Sequence, residues 1–311
     1  MYDLIIVGGG PAGAAAAIYA SRKRLQTLFI TSEWGGQSIV SSEIQNWVGT
    51  KAISGTDLAN ALRGHVEAYA GDSLKIISPA LATALATYDD HIEVTVSDGT
   101  KYHAKTLLIA TGSSRRKLEV PGAAEFEMKG LTYCASCDGP LFAGQNVAVV
   151  GGGNAAFETA LQLLAYCKMV TLLNRSENFR ADEITVASVK VHENMRIITN
   201  AEILSIEGDT FVSGIKYRDV VSGSEMIIPV SGVFVEIGLI PNTDWVGTAL
   251  DLTPAKQIKT DPRTQRASHA RVWAAGDCTD TLYHQNNIAA GDAVRALEDI
   301  YLFVHRLHSA S

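Results

Sequence analysis

No apolar run in this 311-residue chain approaches the roughly 20 residues that a bilayer-spanning helix needs, so no membrane span is expected. Cysteine is scarce. Four cysteines are too few for a disulfide framework in a chain of this length, and a reducing cytoplasm is the natural home. Basic side chains are in deficit, with 26 Lys and Arg against 33 Asp and Glu and a net charge of −7. The only basic clusters are Arg22-Lys23-Arg24 and Arg115-Arg116-Lys117. Each reads as a solvated helix end or loop, so a nucleic-acid surface is excluded. The N-terminal "MYDLIIVGGG" enters an apolar strand with no basic n-region and no cleavage site, and no signal peptide is expected. With 47% apolar and 19% charged residues the composition is that of a globular protein, long enough for two domains with cores of their own.

What the chain does have is glycine in a specific context. Residues 3–7, "DLIIV", have strand length and run into Gly8, Gly10 and Gly13, spaced GxGxxG. An alanine-rich segment follows and reads as a helix. A second apolar run, "TLFI", then leads to Glu33. Strand, glycine turn, helix, strand and acid are the full context of a dinucleotide site. The glycines let backbone approach a pyrophosphate, the helix N-terminus offers it free N–H groups, and Glu33 or a backbone group beside it accepts from a ribose hydroxyl. The pattern repeats roughly 140 residues later. "NVAVV" (146–150) precedes Gly151, Gly153 and Ala156 in a GxGxxA turn, with a helical segment and the strand "MVTLLN" beyond.

Between the two repeats, "HIEVTVSDGTKYHAKTLLIATGS" reads as a hairpin of alternating strands and then a buried strand ending at Ala110-Thr111-Gly112. Near the C-terminus "RVWAAGDCTD" is another buried strand, ending at Gly276-Asp277, and an alanine-rich helix follows from about Asn287 to His305. The fold class is therefore α/β, with two Rossmann-like domains, the second inserted in the first. Residues 1–115 and 246–311 form the interrupted domain and 116–245 the insertion, with crossings near Ser113–Lys117 and Ile240–Asp244.

Chemistry enters at "YCASCDGPLF" (133–142), where Cys134 and Cys137 stand two residues apart with Asp138 next. In a reducing compartment such a pair fits redox chemistry or metal ligation better than a structural bridge. A structural zinc needs four ligands, and the sequence offers no second CxxC and no close histidine pair. A two-residue spacer gives a reducible bridge, and a neighbouring carboxylic acid can shuttle the proton that moves as thiol becomes thiolate. Cys167 and Cys278 are solitary and read as buried packing residues.

The motifs "VGGGPAG", "GGQ", "NWVG", "IATG", "CASCDG", "VVGGGNAA", "FRAD", "GLIPNT" and "AAGD" stand in one order along nearly the whole chain. In this the chain resembles the low-molecular-weight thioredoxin reductases, two-domain flavoprotein disulfide reductases. The resemblance implies that the interrupted domain binds FAD. Gly8, Gly10, Pro11, Ala12 and Gly13 would lie at its pyrophosphate and Glu33 at a ribose. Gly36, Gln37, Asn46 and Ala110-Thr111-Gly112 would lie along the cofactor, with Gln37 near the isoalloxazine. Gly276 and Asp277 would meet the ribityl chain, and His284-Gln285-Asn286 the pyrimidine edge. The inserted domain would carry the redox centre, with Cys137 as the flavin-proximal sulfur, Cys134 as the outer sulfur that attacks a thioredoxin-like protein, and Asp138 as proton donor and acceptor. The family also implies a homodimer built through the FAD domains, and a rotation between domains.

Three places depart from the family pattern. NADPH-dependent members carry a His-Arg-Arg-x-x-x-Arg signature whose arginines hold the 2′-phosphate. Here "NRSENFR" keeps Arg175 and Arg180 but has Asn174 and Ser176 in place of the histidine and second arginine. Gly151, Gly153, Ala156, Arg175 and Arg180 remain an NADPH site with a weakened grip. The sequence therefore points away from efficient NADPH use and toward a ferredoxin-like donor. An ordinary NADPH-dependent reductase of low affinity, a flavin redox sensor without turnover, and a small-molecule disulfide substrate stand as alternatives. His284-Gln285-Asn286 replaces the family's Arg-Gln-Ala. The tail carries Tyr301, Phe303, His305 and His308, read either as a helix end packing at a dimer interface or as aromatics that stack on a flavin.

Overall fold

The computed structural model describes residues 1–41 and 43–310, without the side chains of Val40, Ser136 and residues 308–310. In chain order it opens with β1 (Tyr2–Val7), α1 (Pro11–Arg22), β2 (Thr27–Ile30), α2 (Gly55–Ala70), β3 (Leu74–Ile77), β4 (Ala82–Thr87), β5 (Ile92–Val96), β6 (Lys101–Ile109) and β7 (Ser113–Arg115). Next come β8 (Leu131–Thr132), α3 (Ala135–Asp138), β9 (Asn146–Val150), α4 (Asn154–Leu164), β10 (Met169–Leu173), α5 (Glu183–Lys190) and β11 (Met195–Ile198). They are followed by β12 (Ala201–Gly208), β13 (Val212–Asp219), β14 (Glu225–Pro229), β15 (Gly232–Val235) and β16 (Leu239–Pro241), and the chain returns through β17 (Val272–Ala274) to α6 (Asn286–Ala310).

These elements fall into two compact units. Unit 1 comprises Met1–Val40, Trp47–Ser114 and Ile240–Ser311, and unit 2 comprises Ser41–Asn46 and Arg115–Leu239. The return crossing thus lies at Leu239/Ile240, ahead of the 245/246 boundary read from the sequence. The short Ser41–Asn46 segment groups with the inserted unit, which no local pattern in the sequence announces.

Unit 1 is built on a sheet of order β3-β2-β1-β6-β5-β4, with β17 also paired to β6. The first half of β6 pairs antiparallel with β5 and its second half pairs parallel with β17. One strand thereby serves both a hairpin layer and a Rossmann-type parallel sheet. Alternate residues of β1, Ile5 and Val7, join a buried cluster with Leu28, Ile30, Leu107 and Ile109. The intervening Leu4 and Ile6 are fully buried too, as a strand covered on both faces requires. α1 lies against α6. The small side chains of "AAAA" let the two helices approach closely, and Ala14, Ala16, Ala17 and Ala20 have no exposed surface.

Unit 2 is a parallel sheet of order β11-β10-β9-β15-β8, with a separate antiparallel meander β12-β13-β14. The period of two along β9 sends Val147 and Val149 into a cluster with Phe157, Leu163 and Val189 of α4 and α5. Ala148 and Val150 enter another cluster with Ile206, Val212 and Ile215 of the meander. Helices on one face and the meander on the other make three layers. No helix among the described residues is long and apolar enough to cross a membrane.

Candidate active site

In unit 1 the carboxyl ends of β1 and β6 lie side by side, and the strand order reverses between them. A parallel sheet opens a ligand crevice at such a switch point. Here it is a cavity of about 660 Å³. Its floor is the first glycine turn. Gly8 has φ +122°, and a Cβ there would be driven into the Ala110 carbonyl, while a Cβ on Gly13 would strike the carbonyl of Gly8. Gly10 and Gly36 face each other closely enough that a Cβ on either would touch the other's Cα, at 3.9 and 3.4 Å. α1 starts at Pro11 with Gly10 as a cap that brings no side chain, so its first N–H groups are left for a ligand.

Of the residues expected at FAD, Gly8, Gly10, Pro11, Ala12, Glu33, Gly36, Gln37, Ala110, Thr111, Gly112, Gly276, Asp277, Gln285 and Asn286 line this cavity. Gly13 sits behind it, packed on Gly8. Asn46 belongs to the segment grouped with unit 2 and does not line the cavity. His284 does not line it either. Its Nδ1 lies 3.4 Å from Asp277 Oδ1, so it stands behind a lining carboxylate rather than facing a flavin edge. The rim is fixed by polar contacts across long stretches of chain: Gln37 Nε2 donates to Ser113 Oγ at 3.1 Å, and Ser38 Oγ donates to Asn286 Oδ1 at 2.8 Å. Asn242 of "GLIPNT" exchanges bonds with Thr111, donating to its carbonyl at 3.0 Å and accepting its hydroxyl at 2.8 Å. The motif announced Asn242, but its role in bracing the Ala110-Thr111-Gly112 turn is visible only in the fold.

The tail does not reach the cavity. Phe303 packs edge-on to Trp273 with ring centroids 5.5 Å apart, beneath the Arg266 guanidinium, and Arg266 and Trp273 share the Asp299 carboxylate. Tyr301 lies against His305 and Lys23. Within unit 1, Phe303 and Tyr301 thus help to fasten α6 to its own unit. The His308 side chain lies outside the described residues.

Unit 2 carries the dithiol and a second cavity. Cys134 and Cys137 are joined in a disulfide, with Cα atoms 5.3 Å apart. Cys134 caps the one-turn helix α3, and its Sγ accepts from the Cys137 N–H at 3.2 Å. Both sulfurs are half-buried, whereas Asp138 is 7% exposed. Thr132 Oγ1 donates to Asp138 Oδ2, and Oδ1 has no partner among the described residues. Burial pushes the Asp138 pKa above the ordinary carboxylate range, against the opposing pull of Thr132 and of the Arg115 charge. Thr132 was not singled out in the sequence. It sits on β8 because Leu131 and Thr132 pair with Val233 and Phe234 of β15, a contact between residues far apart in the chain. Cys167 and Cys278 are free and buried, each thiol pushed up to about 11 by burial.

The second cavity, about 730 Å³, opens at the corresponding switch point of unit 2, between β9 and β15. Gly151, Gly153, Arg175 and Arg180 line it, and Ala156 is buried just beneath. Asn174, which replaces the family histidine, does not project into solvent. Its Nδ2 donates to the carbonyls of Ser176 at 2.7 Å and Asn178 at 3.1 Å, stapling the loop that carries Arg175. Glu236, one residue past β15, lines the same cavity and was missed in the sequence. A charged residue directly after the apolar strand "GVFV" was the available signal.

Comparison with known proteins follows the same lines. A family model described as pyridine nucleotide-disulphide oxidoreductase matches residues 2–293. An alkyl hydroperoxide reductase component of Escherichia coli (strain K12) is 37% identical over 310 residues, 99% of this chain and 59% of that protein. A Bacillus subtilis (strain 168) protein named NADH dehydrogenase is 38% identical over 95% of this chain and 57% of its own length. The chain thus spans somewhat under six-tenths of the length of these curated relatives. Thioredoxin reductase from Streptococcus pyogenes MGAS5005 superposes with a TM-score of 0.89 at 32% identity, over 98% of this chain and 99% of that one. Thioredoxin reductase from Giardia duodenalis gives 0.89 at 30% identity, over 97% and 98%.

Proposed function

The chain belongs to the pyridine nucleotide-disulphide oxidoreductase family, and from that premise we propose that it is an FAD-dependent dithiol reductase that draws electrons from NADH and delivers them through Cys134–Cys137 to the disulfide of a thioredoxin-like protein. It is an oxidoreductase with the thioredoxin reductase fold, and the family carries a flavin. The observation that carries the finer reading is the half-buried Cys134–Cys137 disulfide beside a buried carboxyl with one free oxygen. A scaffold or sensor without turnover has no use for that arrangement.

The first cavity fits FAD by its donor set. It has a side-chain-free turn for a pyrophosphate, the Glu33 carboxylate for a ribose, and Asp277 with Gln285 for the polyol and the ring edge. A flavin bound there supplies the two-electron exchange between nucleotide and disulfide. The protein's own residues do the rest. Reducing the disulfide places two electrons on the sulfurs, and one sulfur must take a proton while the other remains thiolate. Asp138, carrying its proton to higher pH than an ordinary carboxyl, would give that proton, with Thr132 holding Oδ2. The Cys137 N–H already points at Cys134 Sγ and would stabilise a thiolate there. Cys134 is then the sulfur that attacks the partner disulfide, and Cys137 closes the bridge again.

The donor assignment rests on the second cavity. Ser176 brings no charge to the 2′-phosphate position, Asn174 is consumed by its own loop, and Arg175 and Arg180 remain exposed. This favours NADH over NADPH, and a formed dinucleotide cavity favours either over a ferredoxin-type donor. The relative named NADH dehydrogenase points the same way. The relative named for alkyl hydroperoxide reductase favours a second reading of the acceptor, in which the partner disulfide belongs to a peroxide-reducing thiol protein. One experiment separates these. The anaerobic yellow holoenzyme is mixed with NADH, NADPH and reduced ferredoxin in parallel, and flavin bleaching is followed. Fast bleaching by NADH is expected, with slower bleaching by NADPH. Bleaching by ferredoxin alone would overturn the donor, and a colourless protein would overturn the function. Turnover with thioredoxin, set against turnover with a peroxide-reducing thiol protein, then decides the acceptor.

A further inference from the structure

Among the residues that line the second cavity, Glu236 is the acid placed at its switch point. Its main chain closes the crevice. Glu236 N donates to the Val150 carbonyl at 2.8 Å, and the Glu236 carbonyl lies where a Cβ on Gly151 would be. The side chain is 14% exposed and lines the cavity. Oε1 accepts from Thr159 Oγ1 at 3.0 Å, and Oε2 stands 3.8 Å from Arg115 NH1. Burial raises its pKa, and both partners favour the charged form against that rise. The homologous place in unit 1, after the strand beside the first glycine turn, is held by Ala110. A carboxylate at this place is therefore no requirement of the fold.

The direction of a bound nucleotide follows from the topology. The adenosine end belongs over β10, where Arg175 and Ser176 stand, and the pyrophosphate belongs at the Gly151–Ala156 turn. The other half must then pass to the opposite side of β9, which is β15 and Glu236. The nicotinamide ring carries a positive charge when oxidised and none when reduced. A carboxylate that is itself largely buried acts on that difference more strongly than one in bulk solvent would.

We propose that Glu236 is the residue that makes the second cavity discriminate between the two redox forms of the nucleotide, holding the cationic oxidised ring more tightly than the neutral reduced one, with Arg115 as the counter-charge that limits the preference. The proposal rests on the reading of the second cavity as a pyridine-nucleotide site. It gives hydride donation a favourable direction within the complex, because the charge created on the ring is met by a carboxylate already in place.

The test uses the oxidised holoenzyme and two probes, NAD⁺ and 1,4,5,6-tetrahydro-NAD, a neutral-ring analogue that cannot give up a hydride. Dissociation constants are measured by titration calorimetry. In Glu236→Gln, whose amide oxygen still accepts from Thr159, the constant for NAD⁺ should rise on the order of tenfold while that for the neutral analogue moves less than about twofold. Equal weakening of both probes in Glu236→Gln, or no change in either, would show a merely structural carboxylate and overturn the inference while leaving the nucleotide site standing. Failure of the unaltered holoenzyme to bind either probe would overturn both readings.

Discussion

The two Rossmann-type units solve one problem twice, and they differ where their chemistry differs. In each, a glycine follows the central strand because its neighbour strand ends beside it: Gly8 against Ala110, and Gly151 against Glu236. Unit 1 surrounds its turn with backbone and uncharged groups, an exposed Glu33 and a half-buried Asp277, and builds a cradle. Unit 2 places buried carboxyls around the same geometry, Glu236 in the cavity and Asp138 beside the disulfide, each with its pKa raised by burial. The strand-turn-helix is thus a shared mount. On the proposed reading, the unit that moves protons and charge would differ from the one that holds the cofactor by a few buried acids.

That comparison can be broken most severely at the glycines. Gly8→Ala must strain a backbone at φ +122° and push a carbonyl aside, and a loss of more than about 4 kcal/mol or outright failure to fold is expected. Gly10→Ala meets only Gly36 Cα at 3.9 Å, so the chain should fold yet purify without yellow colour. Gly153→Ala, with nothing within 4 Å, should keep the colour and weaken only the nucleotide. Absorption at the flavin band and nucleotide titration separate the three, and a colourless but stable Gly8→Ala would show that the close approach is not needed.

The proton role of unit 2 comes next. Asp138→Asn should lower kcat/KM for the disulfide substrate roughly a hundredfold, the scale of general acid catalysis. A carboxyl whose folded pKa lies above the unfolded one adds stability at low pH that is lost as pH rises through the folded value. The variant should therefore show a flatter stability profile as pH rises above the ordinary carboxylate range, while losing activity. Equal activity of the two proteins across the pH range would remove Asp138 from the mechanism.

The loop after each second strand offers a gentler contrast. Ser176→Arg restores one charge-assisted contact to a 2′-phosphate, worth about 1.5 kcal/mol or more, and should tighten NADPH about tenfold without changing NADH. An unchanged NADPH constant would place the phosphate elsewhere. The smallest effect is expected at Asp292, in unit 1 but outside its site. This acid is 6% exposed, with Oδ2 unpartnered and Arg295 3.4 Å from Oδ1, and burial raises its pKa. Asp292→Asn should raise the melting temperature by about 2 °C at alkaline pH and by nothing in acid, since the wild-type carboxyl is then neutral as well.

The turns, the first strands and the CxxC-Asp could all be read from the chain because each is a local pattern whose function is fixed within a few residues. Gly8, Gly10 and Gly13 announce a backbone shape, and Cys134, Cys137 and Asp138 announce a reaction. Thr132, Glu236 and the Asn242–Thr111 pair could not be read, because each acts across a strand pairing or a loop contact far away in sequence. His284 and the tail aromatics could not be placed from the chain for the converse reason. A titratable or aromatic side chain near a motif carries no sign of which way it faces, and here Asp299, Trp273 and Arg266 claim the tail.

The sequence by itself determined two dinucleotide-type units, their nesting, and a CxxC-Asp pattern, since periodicity and spacing restrict backbone shape locally. Only the tertiary structure decided which carboxyls are buried, which oxygens lack partners, and that Glu236 joins the glycine turn in lining the crevice. Burial and charge are properties of neighbours brought together by packing, and no stretch of chain contains its own neighbours.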